Sequence, residues 1–340
     1  DNNSNNSGDN SDGNSNPDDI IVGNSKPVFD GDIVFKVGKN QKLVGFVRAS
    51  DLNNDVLQYT IKTESIFEIT PEGKLSFKTL PDPNNEQKQF NQMVSVTDGE
   101  FEVEQNITVA ISEDISFIVQ WGPVESDKEV TFYINKSDLS YNYEFVIDWG
   151  DGSEQEFYSG IGSSLSVKHT YKTSKSSVNI SVTGLQSQGK KGFQRLDFNQ
   201  SEKALNILQW GASEWEETGL AGAFKGCKKI EGSTGIPNLQ KATDLSKIFS
   251  GATGFNADLS GWDTSNIQNM SSMFNDAFSF TEDISNWNTS KVTNMSSMFL
   301  GAINFNRDLF WDTSSVLSMS SMFSGADNFN GDISNWDTSK

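Results

Sequence analysis

Chemistry in this chain falls to carboxylates, amides, hydroxyls and indoles, because its 340 residues include one His and one Cys. Zinc sites and triads that need several such ligands are nearly excluded, and an intrachain disulfide is impossible. An acid–base hydrolase would need two carboxylates facing one cleft, yet no carboxylate pair stands apart from a periodic background. Two columns do stand out. One is acidic, Asp258, Asp283, Asp308 and Asp332; the other is aromatic, Trp262, Trp287, Trp311 and Trp336, spaced 25, 24 and 25 residues apart. Side chains stacked one per rung lie about 4.8 Å apart, where unscreened like charges repel. The acidic column must therefore cap backbone amides, be diluted by water, or bridge cations, and capping is the expectation. An exposed Trp row could stack on sugar rings or anchor a protein partner, whereas a buried row fills a core, which is the expected role here.

The element that positions both columns is a repeat. Phe-Asn/Thr-x-Asp-Leu/Ile-Ser-x-Trp-Asp/Asn-Thr-Ser restarts at Phe255, Phe280 and Phe329, with a one-residue deletion in the copy that begins at Phe305. A Met-Phe pair follows at Phe274, Phe299 and Phe323, and the register extrapolates back to Phe249 and Phe224. A period of this size signals a solenoid whose units bury their apolar faces against one another. Within the unit, Asp283-Ile284-Ser285 reads as the strand. Val292-x-x-Met295-x-x-Met298-Phe299-x-x-Ala302 is apolar at intervals of three and four, which predicts a helical or 3₁₀ segment. Cys227 stands one period before Ala252, so it is expected to be a core thiol. Outward-facing, variable positions are where a ligand would be met.

The preceding chain divides by composition. Residues 1–26 are rich in Asn, Ser, Asp and Gly and are expected to be a disordered tether. Residues 27–113 and 114–190 carry short alternating runs between turn residues, the pattern of β-sandwiches, and a polar hinge (186–192) leads into 191–340, the array. The fold class is thus mainly β and multidomain: two immunoglobulin-like sandwiches, then a solenoid of short parallel strands and short helical segments.

Three resemblances follow from quoted phrases. Val47-Arg-Ala-Ser-Asp51, Asn53-Asn54-Asp55, Leu57-Gln-Tyr-Thr-Ile and Val94-Ser-Val-Thr-Asp98-Gly resemble a cadherin-like domain. That resemblance implies calcium at Asp51, Asn53, Asp55 and Asp98, consistent with a hard cation's demand for six to eight oxygens. The sequence departs from that family at Val37-Gly-Lys39-Asn40, which lacks the family's glutamate, and Asp and Asn also serve simply as turn formers. Asp148-Trp149-Gly150-Asp151-Gly152 with His169-Thr170-Tyr171 resembles a PKD-type domain, which implies a structural His169. Ala221-Gly-Ala-Phe224-Lys-Gly-Cys227 and the four late repeats resemble the BspA-type leucine-rich repeats of bacterial surface proteins. That resemblance implies a lipid-anchored adhesin for host or matrix proteins.

Charge narrows the partners. A net charge of −20 disfavours nucleic acid and anionic lipid, both of which call for Lys and Arg. No apolar run reaches the 18 or more residues of a spanning helix, and a chain that starts at Asp1 rather than Met implies a removed leader. The expectation is a non-enzymatic surface protein that binds an extracellular protein, with a glycan ligand on an exposed Trp ladder as the alternative. Calcium is the only cofactor implied, and a lipid anchor would lie upstream.

Overall fold

The computed structural model describes residues 24–30, 34–38, 41–81, 87–112, 116–134, 141–162, 165–185, 196–198, 202–211, 215 and 217–340. The tether at 1–23, the polar hinge at 186–192, and Lys39 and Asn40 lie outside them.

The first unit is built from β1 (Val28–Asp30), β2 (Val34–Gly38), β3 (Leu43–Phe46), β4 (Arg48–Ser50), β5 (Gln58–Thr60), β6 (Phe67–Ile69), β7 (Lys74–Phe77), β8 (Gln89–Thr97) and β9 (Glu102–Ser112). One sheet runs β2-β9-β8-β5 and another β3-β7-β6, with β1 paired to β4. Alternation in β9 sends Ile107, Val109 and Ile111 inward, where they meet Val94, Val96, Leu75 and Phe77 across the sandwich. Its period-2 pattern was legible because one face is buried and the other wet.

The second unit contains β10 (Ser116–Trp121), β11 (Glu129–Ile134), β12 (Tyr141–Asp148), β13 (Glu156–Gly162), β14 (Leu165–Thr170) and β15 (Val178–Gly184), and it borrows β16 (Leu196–Asp197), β17 (Ala204–Gln209) and β18 (Gly232–Ser233). Its large sheet has the order β13-β12-β15-β10-β17-β18, and β14-β11-β16 faces it. The sheet therefore crosses the 190/191 boundary expected from sequence. One apolar core runs unbroken from Phe117 into the array as far as Met322. The two sandwiches also meet: Phe46 and Phe157 lie 4.3 Å apart, and Arg48 pairs with Glu144, whose side chain is only 2% exposed.

The array corrects the sequence reading of its unit. No helix forms at 292–302, and 283–285 is no strand; the described residues of the repeat are rungs of linked turns. Parallel single-residue bridges join Asp244 to Asn269, Asn269 to Asn294 and Asn294 to Ser318. The ladder continues through the segment expected to be helical. The amides of Met270, Ser272, Phe274 and Asp276 donate to the carbonyls of Asn294, Ser296, Met298 and Leu300 at 2.9, 2.8, 2.9 and 2.7 Å. The intervening amides of Met273, Asn275 and Ala277 close turns onto the carbonyls three residues back, at 3.2, 3.2 and 3.0 Å. Ser272 and Asp276 take the left-handed conformation, each at φ 55°. Backbone amides are thus satisfied alternately within the rung and by the next one. The spacing misled for a physical reason: two linked turns point Met270, Met273, Phe274 and Ala277 inward, at the offsets a helix would use.

Inside, each rung stacks Phe on Phe, as at Phe274 and Phe280 (4.0 Å), and each ring lies over its counterpart in the next rung, as at Phe274 and Phe299 (5.7 Å). Cys227 is fully buried in line with Ala252, Ala277 and Ala302, and its Sγ donates to Phe198 O at 3.2 Å. The small-residue column holds the thiol inert by burial.

Candidate binding surface

The Trp column is interior. Trp262 and Trp287 are 4% exposed and Trp311 1%, and the rings of Trp287 and Trp311 are 6.4 Å apart and near-parallel. The indole N–H groups of Trp287, Trp311 and Trp336 donate backward to Leu259 O, Ile284 O and Leu309 O at 3.0, 3.0 and 2.7 Å. Each of these three rings therefore rivets its rung to the one before, and its indole N–H finds the partner a buried one needs, whereas Trp262 Nε1 at the head of the column is buried without one. Trp262, Trp287 and Trp311 offer no free face to a sugar; Trp336, in the fifth rung, is half-buried. The row fills the core, and the alternative of an exposed ladder, with Trp262, Trp287 and Trp311 as ligand-binding residues, is the reading that this burial goes against.

The acidic column is outward and self-capped. Oδ1 of Asp258, Asp283 and Asp332 accepts the amide two residues on, from Ser260, Ser285 and Ser334, at 2.8, 2.9 and 2.9 Å. The serine amide and hydroxyl together hold each of these three carboxyls below its ordinary range. Asp308, in the shortened copy, instead accepts the Asp332 amide of the next rung at 2.7 Å. A second set behaves alike: Asp263, Asn288, Asp312 and Asp337 cap Ser265, Ser290, Ser314 and Ser339. The repeated acids are corner-makers.

At the first sandwich the residues implied for calcium are already engaged. Asp51 Oδ1 accepts the Asn53 amide (2.8 Å), and Asp98 Oδ1 accepts those of Glu100 and Phe101 (2.8 and 2.6 Å). Asn53 Oδ1 accepts from Ser25, while Asp55 is exposed and meets the group through its amide. Among the described residues no three His, Cys, Asp or Glu side chains are placed to hold a metal ion. As arranged, the four do not fit calcium.

His169 lies flat on Trp149 (4.9 Å, 12°) and bonds Asp151 Oδ2 through Nε2 at 2.8 Å and Glu156 Oε1 through Nδ1 at 3.3 Å. Tyr171 is buried beside it and donates to Trp149 O. Burial alone would raise the Asp151 carboxyl, but the hydrogen bonds from Ser153 and His169 outweigh it and bring it down to about 2. A depressed carboxylate stabilises the fold above its unfolded value, near 4, and that contribution drains away as pH falls toward 2. Asp151→Asn should therefore lose on the order of 1–2 kcal/mol at pH 7, after allowing for solvent screening. It should also flatten the fall in stability between about pH 4 and pH 2, as read by urea denaturation across that range.

What the array displays outward, and the repeat letters hid, is a column of dissimilar residues: Lys228, Thr253, Phe278, Ile303 and Asp327. Phe278 is 41% and Ile303 37% exposed. The column is fixed by rung-to-rung bonds. Thr253 O accepts the Ser279 amide (3.1 Å), Phe278 O accepts Asn304 Nδ2 (2.8 Å), and Ile303 O accepts the Asn328 amide (3.2 Å). Beside it runs a strip nearly free of side chains, Gly226, Gly251, Gly301 and Gly325, all at φ near +70°. A Cβ on Gly301 would fall 2.3 Å from Asp276 Oδ1, so the strip is shaped by close approach as well as by conformation. Exposed Lys228 and Lys229 head this corner, with half-buried Lys225 beside them. The sequence signal was available as departure from the repeat at a fixed offset.

The profile of a family described as "Mycoplasma protein of unknown function, DUF285" matches residues 218–310 and 309–340, less than half of the chain. No curated protein matches. Among solved structures, human protocadherin-24 EC1-2 aligns at 20% identity over 30% of this chain and 52% of its own, with a TM-score of 0.25. Drosophila N-cadherin EC1-4 aligns at 15% identity over 37% of this chain and 38% of its own, with a TM-score of 0.24. Protocadherin gamma B7 aligns at 13% identity over 49% of each chain, with a TM-score of 0.23. TM-scores of this size do not establish a shared fold. Among the described residues no helix is long and apolar enough to cross a membrane.

Proposed function

We propose that the chain is a non-enzymatic cell-surface binding protein, an adhesin in which two sandwich spacers, cadherin-like and PKD-like, carry a BspA-type repeat array toward a protein ligand. The observation that carries this reading is the Phe278–Ile303 ridge on the array. Two large apolar side chains one rung apart stand in solvent at a fixed offset of the repeat, while the inward aromatics of the rungs behind them are sealed. A strip of glycines interrupted by Asp276 runs beside them and a lysine cluster heads the same corner, and Phe310 and Leu317 add further exposed apolar groups elsewhere on the array. Exposed apolar groups rimmed by polar ones mark interaction sites, and aromatic anchors supply most of the energy in such contacts. A protein segment with apolar side chains and a carboxylate-bearing end fits that surface. The expected setting is extracellular, with a lipid anchor upstream.

The test is a printed array of matrix proteins and glycans probed with the full chain and with the Phe278→Ser/Ile303→Ser pair. Binding to protein spots, reduced at least about tenfold by the pair, is the expected result; a tenfold loss corresponds to about 1.4 kcal/mol. Binding confined to glycans, or protein binding indifferent to both substitutions, would defeat the reading.

A further inference from the structure

Residues 24–26 run across the end of the first sandwich where the acidic side chains gather. Asn24 Nδ2 donates to Asp98 Oδ2 at 3.3 Å and to Glu100 Oε2 at 2.9 Å. Ser25 donates its amide to Asn53 Oδ1 at 2.8 Å, and its hydroxyl lies 2.7 Å from Asn53 Oδ1 and 3.4 Å from Asp51 Oδ2. Lys26 Nζ sits 5.8 Å over the Phe101 ring, next to the Asp98 turn. Two consecutive residues thus bridge the 51–55 loop to the 98–101 turn, one hand on each, and a third brings a positive charge to the same place.

We propose that this segment is a polar strap that does by hydrogen bonding what a calcium ion would otherwise do, so that the first module folds and stays closed without calcium. Asp51, Asp98 and Glu100 sit on the two loops that the segment joins, so each bond from it ties one loop to the other. The strap gives Asp98 and Glu100 the amide hydrogens of Asn24, shares the Ser25 hydroxyl between Asn53 and the more distant Asp51, and brings the Lys26 ammonium over the Phe101 ring. Calcium would have to displace these bonds to collect its six to eight oxygens. Asn24 Oδ1 is a buried side-chain acceptor there without a partner. The two loops are held from the N-terminal side, so the chain enters the module through its own lock.

Hydrogen exchange on the full chain, followed by mass spectrometry over residues 45–60 and 93–105, tests the strap with 5 mM calcium and with EDTA, in conditions we set at about neutral pH and physiological salt. The wild type should exchange alike in both media. Asn24→Ala/Ser25→Ala should exchange at least about tenfold faster over both segments in both media, while residues 218–340 are unchanged and report that the array is intact. Asn24→Asp removes the donor and adds a carboxylate; it should exchange fast in EDTA and be slowed again by calcium. Slowing of the wild type by calcium, or a double variant that exchanges like the wild type, would overturn the proposal. An Asn24→Asp chain indifferent to calcium would overturn the part that casts the strap as the ion's stand-in.

Discussion

Phe274→Ala is expected to cost about 3–5 kcal/mol, the range for emptying an aromatic site in a core, and the damage should spread along the array. Phe274 is fully buried and stacks on four rings: Phe280 within its rung at 4.0 Å, Phe249 and Phe299 in the rungs on either side at 6.1 and 5.7 Å, and Trp287 at 6.3 Å. Stacked rungs draw their stability mainly from their neighbours. A hole in the third rung therefore weakens two interfaces, and little can collapse into it because its walls are pinned by the amide ladder. The check is urea denaturation followed by Trp fluorescence, with exchange measured rung by rung. The substitution should speed exchange on both sides of residue 274 while leaving the first sandwich untouched, since the two belong to separate cores. Loss below about 1 kcal/mol would mean that the stack is looser than its geometry implies.

The same architecture explains which features could be read from the chain and which could not. Period was legible because the interior is one-dimensional: each inward offset sees only its own kind, so Phe, Trp, Ala and Thr recur in place. Conformation within the period was not legible. Left-handed residues at Ser272, Asp276, Ser297 and Ser321 carry no Gly signature, and without them the Met-x-x-Met-Phe spacing reads as helix. Nor could the letters say that 204–209 completes the sheet of the second sandwich, because pairing of β17 with β10 joins residues more than eighty apart. The acidic columns were ambiguous for a different reason: an Asp that caps an amide two residues ahead and an Asp that binds a cation leave the same trace in a sequence. Only the position of the Ser amide separates them. The Phe278–Ile303 ridge lay in plain view as the place where the repeat breaks its own rule, but its outward direction depends on the turn geometry that the spacing misrepresents.

The fifth rung makes the reverse experiment possible. In the fourth rung the amides of Met295, Ser297, Phe299 and Gly301 donate to Ser318, Ser320, Met322 and Ser324 of the fifth. Among the described residues, the corresponding amides of Met319, Ser321, Phe323 and Gly325 have no such acceptor. Phe323, Phe329 and Trp336 are half-buried where Phe299, Phe305 and Trp311 are sealed. A further 25-residue rung of the same wording, added after Lys340, should cover those rings and take up the four donors. Stacked units draw their stability mainly from the interface with a neighbour, so a net gain on the order of 3 kcal/mol, or about 6–12 °C in the melting of the array, is the expected outcome. Exchange across residues 318–340 should slow by about a hundredfold at that gain. An added rung carrying Trp→Ala and both Phe→Ala changes offers the same backbone acceptors without the ring stack. If it stabilises as well as the intact rung, the ladder of amides holds the array together; if it does not, the aromatic columns do, and the deep burial of Phe274 and Trp287 favours the columns.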